Sequence, residues 1–138
     1  MSKKLWVTPD EYLKGRDKTW PLSPQQRANM GRLLEALHKA REAYGGPFIV
    51  TSGYRPEGIN REIGGAVNSL HIQCLAVDLA DASGGMKRWF ADKNRLEEFG
   101  FWMESPIYTP KHCHLQIEPP KSGARIFVPG RKPWLTGV

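Results

Sequence analysis

His112-Cys113-His114-Leu115-Gln116-Ile117 alternates two kinds of side chain with a period of two. As a strand, it sets His112, His114 and Gln116 on one face and Cys113, Leu115 and Ile117 on the other. One face can then be buried against helices while the other carries two histidines. Such a strand needs partners. Leu75-Ala76-Val77-Asp78-Leu79 and Phe101-Trp102-Met103 read as two, Phe48 to Thr51 as a buried third, and Arg125 to Val128 as an edge strand.

The helices that would cover the apolar face are also legible. Ser23-Pro24-Gln25-Gln26 has the form of a helix start, with Ser23 as N-cap, Pro24 at the first helical position and Gln26 closing a capping box. Met30, Leu33, Leu34, Leu37, Ala40 and Tyr44 follow at three- and four-residue spacing, and Gly45-Gly46-Pro47 ends the run. After Gly84-Gly85, the residues Met86, Trp89, Phe90 and Leu96 predict a second helix ending near Gly100. Ser52 to Asn68, rich in Gly, Pro, Asn and charge, reads as an excursion over the surface, where function often resides.

These elements predict an α+β fold: a small single domain with an antiparallel sheet and helices packed on one side. With 138 residues, 40% of them hydrophobic, the chain can fill one core but not two. The expected organisation is one domain over 1–138, with 1–22 as an N-terminal extension, 23–128 as the core and 129–138 as a Pro-containing tail.

A net charge of +6 favours anionic partners such as nucleic acid, acidic lipid or bacterial wall polymers. Nucleic acid is disfavoured, because Lys and Arg are dispersed and no basic helix face or interleaved aromatic platform is visible. Lys3 and Lys4 are followed by Val7-Thr8-Pro9-Asp10-Glu11 instead of the apolar run of a secretory signal, and no apolar run reaches membrane-spanning length. Synthesis in the cytoplasm without a signal peptide and without membrane insertion is expected. Two cysteines, Cys74 and Cys113, are too few for a disulfide framework and suit a reduced compartment. A monomer is expected.

Four residues carry the chemical reading: His71, Asp78, His112 and His114. A His seven positions before an Asp means little alone. Two histidines on one strand face can converge on a cation, however, and two His with one carboxylate supply three ligands while leaving a fourth position for water. Hydrolysis requires that open position, since a bound zinc lowers the pKa of its water to roughly 7 and polarises a carbonyl.

Ser52-Gly53-Tyr54-Arg55, then Asn60, Gly64-Gly65-Ala66, and Ser69-Leu70-His71 with six residues before Asp78 form a combination far more specific than any single piece. From about Pro24 through His114, the chain resembles the zinc D-Ala-D-Ala carboxypeptidase and L-Ala-D-Glu endopeptidase family, which shares a superfamily with lysostaphin-type peptidases and the hedgehog signalling domain. The resemblance implies a zinc cofactor with His71, Asp78 and His114 as its ligands, and Arg55 and Ser69 facing substrate. It implies hydrolysis of amide bonds in peptidoglycan stem peptides, in a setting like that of phage endolysins that reach the wall after the membrane is permeabilised.

Several roles stay open at this level. The planar donors of Arg55 suit the carboxylates of a stem peptide, but Arg55 can equally brace the long loop. Ser69 can instead serve its own turn. Some superfamily members use the first His of a His-x-His pair for proton transfer or oxyanion stabilisation, which makes His112 the preferred catalytic group. Others use an acidic residue three positions before the last ligand, where this chain has Lys111; Glu104, the nearest upstream carboxylate, is the alternative to His112, or an exposed turn residue. Cys74 stands where the family usually has glycine. On a strand from 74 to 79 it would share the Asp78 face and could approach the metal, closing the site, although a small buried filler is the commoner fate of a free cysteine. His38 reads as an ordinary surface or boundary histidine. The alternative function is a non-catalytic zinc-stabilised binding module of the same fold, as in hedgehog proteins.

Overall fold

The computed structural model describes residues 5–64 and 69–129. Gly65, Ala66 and Asn68 of the loop motif, Lys3 and Lys4, and the tail from Gly130 lie outside the described residues. The order is α1 (Pro9–Leu13), α2 (Pro24–Tyr44), β1 (Val50–Ser52), α3 (Glu57–Glu62), β2 (Ala76–Ala80), α4 (Gly85–Ala91), α5 (Arg95–Phe99), β3 (Trp102–Glu104), β4 (His112–Gln116) and β5 (Ile126–Phe127). The fold is α+β, built on one open five-stranded sheet with strand order β1-β2-β4-β3-β5.

Helix α2 begins and ends where its sequence directs. Ser23 accepts from the Gln26 backbone N–H while the Gln26 side chain accepts from the Ser23 backbone N–H, and Gly45 closes the helix in the left-handed conformation. Leu33, Leu34, Leu37 and Ala40 are buried along one stripe. With Met86 and Phe90 of α4 and Leu96 of α5, they cover the sheet face formed by Val77, Leu79, Cys113, Leu115 and Met103. Each such fully buried Leu contributes roughly 1.5–3 kcal/mol relative to exposure. The register pairs Val77 with Leu115 and Leu79 with Cys113 on that face, and therefore Asp78 with His114 on the other.

The structure departs from the sequence reading in identifiable places. The sheet is mixed, because β5 returns on the outer side of β3 and runs parallel to it, with Met103 N–H donating to the Arg125 carbonyl and Ser105 N–H to Phe127. The second helix is two. Asp92 is extended, and Lys93 and Asn94 both take positive φ, which turns the chain so that Phe99 can stack on Trp89. The surface excursion contains α3, and β1 starts two residues later than Phe48.

The expected N-terminal extension contributes to the core: Val7, Tyr12, Leu13 and Leu22 are buried. Tyr12 ties it in, donating from its hydroxyl to the Ala76 carbonyl at 2.8 Å and accepting at its own carbonyl from Tyr54 N–H. His38 is buried rather than superficial, and its Nδ1 accepts from Trp6 N–H at 3.2 Å, fastening this segment to α2.

Candidate metal centre

Three elements meet on the polar face of the sheet. β2 supplies Asp78, β4 supplies His114 directly opposite, and a turn over 69–74 brings His71 in from the side. One ligand atom from each of His71, Asp78 and His114 lies within 4.8 Å of the others, so the three could hold a metal ion. Asp78 is the hub: Oδ1 stands 2.9 Å from His114 Nδ1, and Oδ2 stands 3.5 Å from His71 Nε2.

The turn that carries His71 is held from three directions. Ser69 Oγ accepts from His71 N–H, Gly53 O lies 2.9 Å from His71 Nδ1, and Arg55 N–H donates to the His71 carbonyl. From α2, Gln26 donates to the Ile72 carbonyl and Asn29 to the Gln73 carbonyl. These α2 contacts were not foreseen. The available signal was Asn29, a polar side chain beside Met30 on the helix face that becomes buried.

The electrostatics suit a cation. Burial alone would raise the Asp78 carboxyl, but hydrogen bonds from His114 and His71 and their charge override it and hold the group well below the usual carboxylate range. Burial lowers the His71 imidazole against the pull of Asp78, favouring the neutral form that ligates metals. For His114, burial also acts downward, yet the hydrogen bond and charge of Asp78, with help from Glu104, raise it. A carboxylate held ionised beside two imidazoles is a donor set that could hold a divalent cation such as zinc.

The other sequence-derived residues surround this cluster. His112 shares its face, is about one-third exposed, and places Nε2 3.9 Å from Asp78 Oδ1. Glu104 is no exposed turn residue: its carboxylate is mostly buried, with Oε2 3.9 Å from His114 Nδ1. Arg55 reaches Asn60 Oδ1 at 3.1 Å, Ser52 Oγ at 3.2 Å and Asp78 Oδ2 at 3.6 Å, so its guanidinium braces α3 and β1 against the cluster. Ser69 performs the turn bond to His71.

Cys74 lies off the strand. It takes φ 61° in the turn before β2, is fully buried in the apolar core, and its thiol is pushed up to about 12 by burial. The group that could hold a metal does not include it. A left-handed backbone there gives a physical reason for glycine at this position in the resembling family. Among the described residues, no helix is long and apolar enough to cross a membrane.

The sequence profile described as peptidase M15 matches residues 7–114, which span all three residues of the cluster. Among curated proteins none matches the sequence.

Proposed function

The chain belongs to the peptidase M15 family, and on that footing we propose that it is a zinc-dependent peptidase hydrolysing amide bonds in peptidoglycan stem peptides, as a D-Ala-D-Ala carboxypeptidase or an L-Ala-D-Glu type endopeptidase of a phage or prophage lysin. The observation that carries this reading is the convergence of His71, Asp78 and His114 within 4.8 Å on one sheet face. Two imidazoles and one carboxylate would supply three ligands to a zinc ion and leave a further position open for water.

Zinc held there supplies a water of lowered pKa and polarises the scissile carbonyl. The chain's own groups do the rest. His112, about one-third exposed with Nε2 3.9 Å from Asp78 Oδ1, would take a proton from the attacking water and return it to the leaving amine, or donate to the developing oxyanion. Glu104 lies beside His114 and holds its carboxylate near the same space. Arg55 keeps Asp78 oriented and carries positive charge beside it, where a stem-peptide carboxylate would be attracted. Ser69 sets the backbone of His71.

Purified protein with measured zinc content, incubated with purified peptidoglycan, tests the reading by release of new amino groups. Zinc uptake with amide cleavage supports it. Zinc uptake without cleavage of any wall chemotype would instead favour a zinc-stapled binding module.

A further inference from the structure

Lys87 and Asp81 form a buried ion pair away from the cluster. Lys87, in the first turn of α4, is 3% exposed, and Asp81, just beyond β2, is 7% exposed. Lysine is almost never buried this far without a partner. Here Nζ stands 3.4 Å from Asp81 Oδ2 and donates to the His112 carbonyl at 2.8 Å. Asp81 is itself fixed at the start of α4: its carboxylate accepts from Met86 N–H at 3.0 Å and Lys87 N–H at 2.9 Å, and its own N–H donates to the Lys111 carbonyl at 3.0 Å.

Strand geometry explains why the His112 carbonyl takes a lysine. Ala80 and His112 lie opposite each other in the β2–β4 pair. Ala80 N–H donates to the Ile49 carbonyl on the β1 side, so both residues of this pair turn their backbone groups outward, and the His112 carbonyl points to the β3 side. There β3 meets β4 at Trp102–Gln116 and Met103–Leu115, and by Ser105 its N–H has turned to the Phe127 carbonyl of β5. His112 therefore stands past the end of the β3 ladder, where its carbonyl needs a donor from elsewhere. Lys87 supplies that donor from the helical layer.

We propose that Lys87 is a positioning residue for His112: together with Asp81 it fastens the first residue of β4 to the start of α4 and so fixes the backbone from which the imidazole projects. This rests on the reading of His112 as the group that moves the proton or donates to the oxyanion. His112 opens its strand directly after an exposed segment, in which Ile107 is 83% exposed, so burial there does little to hold the strand end. A proton-transfer group must stay within hydrogen-bond reach of its proton. Displacement by about 1 Å can cost roughly 100-fold in rate. Lys87 meets this demand through the main chain, from the opposite side of the sheet to the His112 imidazole.

The test is a double-mutant cycle on the zinc-loaded protein with soluble peptidoglycan fragments: wild type, Lys87→Met, His112→Ala and the two together, with kcat, KM and zinc content measured for each. Lys87→Met should keep its zinc and its KM and lose about 10- to 100-fold in kcat. In the His112→Ala background it should lose little more, because its effect passes through an imidazole that is no longer there. Should Lys87→Met not fold, Asp81→Asn/Lys87→Met, which removes both charges, takes its place in the cycle. In wild type, the Nζ protons of Lys87 should exchange with water far more slowly than those of surface lysines. A folded Lys87→Met with wild-type kcat overturns the proposal, and so does an equal loss with and without the His112 imidazole. Nζ protons that exchange like those of a surface lysine overturn it on wild type, even if no variant folds. Full turnover in His112→Ala defeats the reading of His112 itself, and this inference with it.

Discussion

Asp78 and His114 are paired residues on adjacent antiparallel strands, and their side chains meet at 2.9 Å, Oδ1 to Nδ1. The same register that buries Val77 against Leu115 therefore assembles half of the candidate metal centre. A one-residue slip would turn every one of these side chains to the opposite face.

Zinc removal should abolish peptidoglycan cleavage and lower the melting temperature. A ligand bound only by the folded chain stabilises it by about 2.7 kcal/mol at a hundredfold excess over its Kd. Activity and thermal melting before and after exhaustive chelation check this; a metal-free protein that cuts at the full rate would sink the proposed mechanism.

His112→Ala should keep its zinc and lose roughly 10²- to 10⁴-fold in turnover, the usual contribution of a general acid or base. Glu104→Gln should be mild by comparison. Because both groups lie 3.9 Å from a member of the cluster, the pair of variants is needed. The reverse pattern transfers the role to Glu104.

Cys74→Gly should retain zinc and activity with little change in stability, because two effects oppose each other. Removing a small buried side chain costs about 1 kcal/mol, while relief of the left-handed backbone at φ 61° returns about 1–2 kcal/mol. Cys74→Val keeps the volume but puts a β-branched residue into that conformation, so it should melt well below Cys74→Gly. Zinc loss in Cys74→Gly would mean that the thiol ligates after all.

Gly53→Ala should damage both fold and metal binding. A Cβ at this position would collide with the Tyr12 backbone carbonyl, and moving Gly53 displaces the carbonyl that orients His71. A loss of about 1–3 kcal/mol in denaturant unfolding, with weaker zinc binding, is the expected result. Wild-type values for both would show that α1 does not press on this loop.

Ser23→Ala should cost about 1 kcal/mol in the same unfolding measurement, since Ser23 accepts the Gln26 N–H at the start of α2. Its consequence should extend to the site, because Gln26 also donates to the Ile72 carbonyl beside His71. A variant as stable as wild type would show that Pro24 alone suffices to start the helix.

The amino-acid order by itself determined the local features of this protein. Period-two alternation from His112 to Ile117 identified a strand with two chemically distinct faces, and Ser23-Pro24 to Gly45 delimited α2, because capping and hydrophobic periodicity are set by neighbours within a few residues. Only the tertiary structure decided what depends on distant groups. The turn at Lys93-Asn94, the parallel return of β5, the burial of Val7, Tyr12, Leu13 and Leu22 and the left-handed backbone of Cys74 arise from packing between elements, which periodicity does not encode. Likewise, the partners that orient the histidines come from a loop carbonyl at Gly53 and an amide at Gln116. A backbone carbonyl leaves no trace in residue identity, and a glutamine on a strand face reveals its bond only once the ladder brings Asp78 opposite His114 and leaves the far ring nitrogen in need of an acceptor.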